Sequence, residues 1–172
     1  AIQMASLVQA YPIIAVDIKD NKLEFARRFG ATDTINASHT DPVQAICDLT
    51  GGGVDYAIDA VGLRHTNEQI LRAAKGGGPG AENLGGLAIL VGIPSEEIKI
   101  DPMQFVFHQK QYTGSLGATY PEKDFMMFLR WSTEGTFPLA KMITRKYTLE
   151  AANQACEDLN AGLVLGRSII TF

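Results

Sequence analysis

The residue most suited to chemistry is Asp17, in the stretch IIAVDIKDNKLEFARRFGAT from Ile13 to Thr32. Four apolar residues run straight into a carboxylate, and a helical pattern begins at once. An acid closing a buried strand has two oxygens ready for a pair of neighbouring donors. Lys22, five residues on, falls in the first turns of the next helix and within reach of the same ligand. Taken alone, Asp17 is equally well read as a turn residue or helix cap, and Lys22 as a solvated surface charge. The other chemistry-bearing types are scattered. Cys47 and Cys156 stand far apart, each on a helical pattern, without a Cys or His at metal-ligand spacing. His39 and His65 read as loop residues, and His108, in FVFHQK, as a partly buried polar group near a helix end. No Ser-His-Asp order or paired-carboxylate motif stands out. Asp55 and Asp59 share one side of a strand by period-two geometry, and Asp59 is read as a structural acid.

The elements that must position these residues alternate along the chain. Strand-like runs fall at Ile13–Ile18, Asp33–Asn36, Val54–Asp59, Leu87–Gly92, Ile98–Ile100, Gln111–Leu116, Lys141–Tyr147 and Ser168–Phe172. Helical patterns cover Asn21–Phe29, Asp41–Leu49, Thr66–Lys75, Met103–Gln109, Asp124–Glu134 and Leu149–Ala161. Gly30 stops the first of these, and Asp41-Pro42 opens the second as cap and first-turn proline. Ile13–Ile18 is expected to be buried on both faces, as a central parallel strand would be. Gly76–Gly86 reads as a surface loop. The alternation predicts βαβ units and a mostly parallel, doubly wound α/β sheet. Such sheets bind ligands beyond the carboxyl ends of their strands. The decisive positions are then Asp17, Ala60–Gly62, Val91–Pro94 and Ser115–Gly117. Apart from the acid they are small or expose main chain, as a crevice for a flat ligand requires. In a dinucleotide-binding crevice, the acid ending the second strand accepts hydrogen bonds from both hydroxyls of the adenosine ribose. The same charge repels a 2′-phosphate, which favours NAD over NADP.

Bulk properties exclude several classes. The chain has 172 residues, 46% hydrophobic and 20% charged, with a net charge of -4. No Lys/Arg run offers a surface for nucleic acid or an anionic membrane, and no apolar stretch reaches the roughly 18 residues of a membrane span. Two separated cysteines and no secretory signal fit reduced thiols in a cytoplasmic protein, with a single disulfide as the alternative.

The segments IIAVDIKDNKLEFARRFGAT, GGGVDYAIDAVG, LVGIP, IDPM, TGSLGA and GRSIITF resemble, in order and spacing, the zinc-type medium-chain alcohol dehydrogenases. The likeness covers nearly the whole chain and is strongest to the liver-type and formaldehyde dehydrogenase branch. It implies a Rossmann-like fold and an NAD-dependent oxidoreductase moving a hydride between an alcohol and an aldehyde. It implies that Asp17, Ile18 and Lys22 surround the adenosine ribose. Ala60, Val61 and Thr66 would lie by the adenosine half or its linkage. Val91, Gly92 and Ile93 would line the nicotinamide side, with Ser115, Leu116 and Gly117 meeting the carboxamide through main chain. Arg167 would pair with the pyrophosphate. Residues 1–117 would form the nucleotide-binding domain and 118–172 a segment returning to a catalytic domain. Phe125, Met126, Phe128, Leu129 and Trp131 would be the core of its helix. Catalytic zinc would be held by ligands outside this chain. Ile98–Asp101 resembles the edge through which relatives form dimers or tetramers.

The resemblance also makes an expectation of an absence. AIQMASLVQAYP matches the second part of the family's first helix, so the first strand and its G-x-G-x-x-G turn are expected upstream, in a polypeptide of well over 300 residues. In the strand order 3-2-1-4-5-6, that strand separates the Ile13 strand from the Val54 strand. Two further readings stay open: a zinc-free quinone or enoyl reductase, which would usually take NADPH and lack the strand-end acid, and a nucleotide-binding module without catalysis.

Overall fold

The computed structural model describes residues 1–80, 82–94, 96–117 and 120–172. The first half of the chain alternates as expected: α1 (Ile2–Leu7), β1 (Ile14–Asp17), α2 (Asp20–Arg27), β2 (Asp33–Asn36), α3 (Pro42–Thr50), β3 (Tyr56–Asp59), α4 (Arg64–Ala73) and β4 (Leu87–Leu90). The second half holds α5 (Met103–Val106), β5 (Gln111–Gly114), α6 (Pro121–Thr133), α7 (Leu139–Met142), β6 (Ile143–Thr148), a 3-10 turn over Leu149–Ala151, α8 (Ala152–Asn160) and β7 (Arg167–Thr171). Local chemistry explains the sharpest boundary. The Asp41 side chain accepts from the amides of Val43 (2.8 Å) and Gln44 (3.1 Å), Pro42 opens α3, and Gly51 closes it in the left-handed conformation.

Two compact units result, one from Ile35–Thr119 with Ala1, the other from Ile2–Thr34 with Tyr120–Phe172. In the first, β3, β4 and β5 form a parallel three-stranded sheet in that order. Its register sets Ala57 beside Ala88 and Ala88 beside Tyr112; two steps on, Asp59 stands beside Leu90 and Leu90 beside Gly114. Small residues in the first row let α4 lie close, and Ile70 and Leu71 pack on Ala57 and Ala88 with Val54, Ile100 and Tyr112 at the margin. In the second unit, Ala15 of β1, Leu23 of α2 and Ala31 form the core, joined by Ile2 and Ala26. There β6 and β7 form a parallel pair. Asp158 of α8 ties this pair to its helix: its carboxylate accepts from Tyr147 Oη (2.6 Å), Gln154 Nε2 (2.9 Å) and Arg145 Nη1. Those donors, Tyr147 first, hold its carboxyl below the usual range.

β1 pairs with β2 in a sheet of their own, and no ladder among the described residues joins it to β3–β4–β5.

Five expectations need correction. Ile13–Ile18 is buried on one face only: Ile13 and Ala15 are inside, while Val16 and Ile18 are exposed. β3 repeats this, with Ala57 inside and Tyr56 and Ile58 outside. Ile98–Ile100 is not a strand, because the Lys99 amide is donated to Glu68 Oε1 (2.8 Å) and not to a sheet neighbour. The α6 residues Phe125, Met126 and Leu129 are exposed; only an aromatic group of Phe128, Trp131 and Phe137 closes on itself. Lys141, expected in a strand, lies in α7, and the helix expected to reach Gln109 ends at Val106.

Candidate functional site

The candidate residues fall into one group per unit. In the Ile2–Thr34 and Tyr120–Phe172 unit, β1 ends on Asp17, which is half-buried. Its Oδ1 accepts the Lys19 amide at 3.0 Å, a turn two residues long. Lys19 itself is the N-cap of α2 and has no side-chain cap bond, so Asp17 shapes the strand exit without capping the helix. Oδ2 carries no hydrogen bond among the described residues. The turn reading and the ligand reading are therefore compatible: one oxygen fixes the carboxylate and the other stays open. Lys22 is half-buried in the first turn of α2, and Ile18 is exposed beside the acid.

The same unit brings its last strand to this exit. Lys19 Nζ donates to the Gly162 carbonyl at 3.2 Å. A side chain at Gly166 would meet Phe25 Cζ of α2 at 2.9 Å. Arg167 comes next, exposed at the start of β7. Its Nη1 donates to the Gly166 carbonyl at 3.2 Å, and no carboxylate partner occupies it among the described residues. An unpaired guanidinium with donors to spare suits an anion.

The other group sits at the tips of β3, β4 and β5. Asp59 is 3% exposed. Its Oδ1 accepts the Val61 amide (3.1 Å), and its Oδ2 accepts the Gly62 amide (3.0 Å) and Asn67 Nδ2. Its carbonyl accepts the amides of Val91 (2.8 Å) and Gly92 (2.9 Å). Gly62, at φ +86, and Gly92 let the two tips touch: a Cβ on Gly62 would meet the Ile93 carbonyl at 2.5 Å, and one on Gly92 would overlap the Gly62 amide. The Ser115 amide donates to the Leu90 carbonyl (2.8 Å), extending the ladder, and Gly117 adopts φ +82. The tips present apolar surface. Ala60, Val61, Val91, Ile93 and Leu116 are all exposed, Ile93 to 82% and Leu116 to 99%. Exposed apolar side chains gathered around open main chain mark a binding surface. Thr66 has its hydroxyl committed to the Leu63 carbonyl (2.9 Å) in the first turn of α4.

Reading the sequence did not find Asn67, which is completely buried and joined to Asp59. The signal was its place at i, i+3, i+4 with Ile70 and Leu71, a polar residue on the apolar stripe of α4. Asp55 turned out unlike Asp59. It lies outside β3, is exposed, and pairs with Lys75. The thiols of Cys47 and Cys156 are free, and no three His, Cys, Asp or Glu among the described residues group as metal ligands.

The sequence profile of the zinc-binding dehydrogenase family matches residues 1–134. The chain belongs to the zinc-binding dehydrogenases. Among curated relatives of known name, an NAD-dependent alcohol dehydrogenase of Sulfurisphaera tokodaii is 31% identical over 99% of this chain and 46% of its own length. An S-(hydroxymethyl)glutathione dehydrogenase of Synechocystis sp. is 30% identical over 99% of this chain and 45% of its own. A solved alcohol dehydrogenase zinc-binding domain protein from Burkholderia ambifaria superposes with a TM-score of 0.88 at 31% identity, over 100% of this chain and 45% of that one. A zinc-binding dehydrogenase from Sinorhizobium meliloti solved with NADP gives 0.79 at 27% identity, over 90% and 43%. The chain thus spans under half the length of these zinc-binding dehydrogenases.

Proposed function

We infer that this chain supplies the dinucleotide-holding part of an NAD-dependent alcohol dehydrogenase, which moves a hydride between a small alcohol and an aldehyde. The observation that carries this reading is Asp17: a carboxylate at a strand exit, fixed through one oxygen and open at the other. The residues fit the cofactor. Asp17 would accept from the ribose hydroxyls, with Ile18 and Lys22 beside it, and Arg167 would meet the pyrophosphate. Ala60, Val61 and Thr66 would flank the adenosine half or its linkage, Thr66 by its methyl and main chain because its hydroxyl is already engaged. Val91, Gly92 and Ile93 would present an apolar lip to the nicotinamide, and Ser115, Leu116 and Gly117 main chain to its carboxamide. When bound, the nicotinamide carries the hydride; the protein's part is to orient it and exclude water.

The residues do not fit zinc, which needs three protein ligands and an open position in a catalytic site. No step here is routed through the metal, and zinc in the whole enzyme would be held by ligands outside these residues. Residues 1–117 remain the proposed nucleotide-binding part and 118–172 the returning segment; 118 and 119 lie outside the described residues. Ile98–Asp101 remains the proposed pairing segment of a homodimer or homotetramer.

One competing reading is an NADPH-dependent, zinc-free reductase; the S. meliloti zinc-binding dehydrogenase solved with NADP favours its cofactor choice alone. Asp17 opposes it, because its charge would repel a 2′-phosphate. Titrating NADH and NADPH against the full natural polypeptide separates the two: NADH at least about tenfold tighter is expected, and equal or tighter NADPH overturns the assignment. Metal analysis of the same material should give stoichiometric zinc; active protein without it favours the reductase.

A further inference from the structure

We propose that Asp59 is a positioning residue for the dinucleotide, acting through the main chain at the tips of β3 and β4. This rests on the reading of those tips as part of the cofactor site, the β3 tip by the adenosine half or its linkage and the β4 tip by the nicotinamide. Its distinguishing feature is where its bonds go. Three donors meet the carboxylate and two meet the carbonyl, and four of these five are amides of the tips: Val61, Gly62, Val91 and Gly92. The two carbonyl bonds are main-chain bonds that any residue here would make; the side chain's own contribution is to hold the Val61 and Gly62 amides of the β3 tip. Here the core supplies one donor, Asn67, which anchors the carboxylate to α4.

That anchor is costly to the molecule. Asn67 is fully buried, and its Oδ1 has no hydrogen-bond partner among the described residues. A buried amide oxygen left unpaired is unfavourable. A leucine would fill the same stripe beside Ile70 and Leu71 without that loss. The amide is useful at this position only because its nitrogen holds Asp59 Oδ2. Gly62 packs against Ile93 and Gly92 against Gly62, so the β3 tip that the Asp59 carboxylate holds lies directly against the β4 tip. Loosening the carboxylate should disturb both without unfolding the sheet beneath them.

The test is Asp59→Asn in the full natural polypeptide, read by NADH titration and residue-resolved amide hydrogen exchange. The amide nitrogen of the new residue would face another donor, Val61 or Gly62 and Asn67. Exchange protection at Val61 and Gly62 should fall at least about tenfold, protection at Ala57 and Ala88 should hold, and the NADH dissociation constant should rise at least about tenfold. An unchanged constant with loosened tips overturns the proposal. So does a weaker constant accompanied by equal loss of protection at Ala57 and Ala88, which marks a merely structural acid. Should Asp59→Asn fail to fold, Gly62→Ala separates the tips with Asp59 intact. NADH weakened at least about tenfold supports tip control, and unchanged affinity overturns it. Asn67→Ala, which removes the anchor but leaves the Val61 and Gly62 amides served, should weaken NADH about threefold, less than Asp59→Asn; unchanged affinity overturns the anchoring role. If the unaltered protein binds neither NADH nor NADPH, the cofactor assignment itself fails and this proposal with it. Tight NADH binding that is indifferent to Asp59 and Gly62 removes this proposal alone.

Discussion

Asp17 and Asp59 hold the same kind of position, the last residue of a strand in an α/β fold, and their surroundings have divided the work between them. Asp59 is 3% exposed and its carboxylate is saturated by three donors from its own unit. Asp17 is half-buried and uses one oxygen, leaving the other without a partner among the described residues. The difference lies in the path of the chain beyond each strand. After Asp17 the chain enters α2 directly, and only the Lys19 amide turns back. After Asp59 it makes a glycine turn, so that Val61 and Gly62 both point their amides at the acid while α4 brings Asn67 over the top. A saturated carboxylate orders protein; one anchored through a single oxygen keeps acceptor capacity, which the proposed function assigns to the ribose.

That contrast is easiest to break by unfolding measurements. Asp59→Ala strands buried donors and should cost about 3–5 kcal/mol, whereas Asp17→Ala loses one turn bond and should cost about 1 kcal/mol or less. Equal losses in urea titrations would erase the distinction. Asp41→Ala calibrates the scale, since its carboxylate also accepts two amides but at an exposed helix start; about 1 kcal/mol is expected. Tyr112→Phe sharpens the picture of the Asp59 region. The Tyr112 hydroxyl is buried without a partner among the described residues, and burial, reinforced by the charge of Asp59, pushes its pKa up. Removing it should be neutral or stabilising by up to about 1 kcal/mol; a clear destabilisation would mean that the hydroxyl has a partner. Asp158 extends the comparison to acid. Its lowered folded pKa means that its contribution is complete above the unfolded value near 4 and is lost as pH falls through the folded value. The unfolding midpoints of the natural protein and Asp158→Asn should differ at about pH 7 and converge toward about pH 3; a constant gap would contradict this.

Much of the fold was legible because the local signals agreed. Asp41-Pro42 located α3 within a residue, and the short apolar runs located β1, β3 and β4. The candidate site was legible as a set of strand exits for the same reason. Other features depended on partners that a sequence pattern does not name. Val16, Phe125 and Leu129 read as core yet are exposed, because what covers an apolar residue is set by neighbouring elements. Ile98–Ile100 had strand composition, but Glu68 captured the Lys99 amide, and that choice is tertiary. Glu68 is held below its usual pKa by that amide and by Arg64. Asn67 was missed because one polar residue on an apolar stripe looks like a blemish until its partner, eight residues earlier in β3, is known.

The most direct measurement compares NADH and NADPH affinities in the natural protein and in Asp17→Gly. With the second carboxylate oxygen gripping the ribose, the natural protein should prefer NADH, and the glycine variant should lose about 10- to 100-fold in NADH affinity while NADPH holds or improves. An unchanged preference would show that the open oxygen of Asp17 faces no sugar, and the cofactor site would have to be sought elsewhere on the chain.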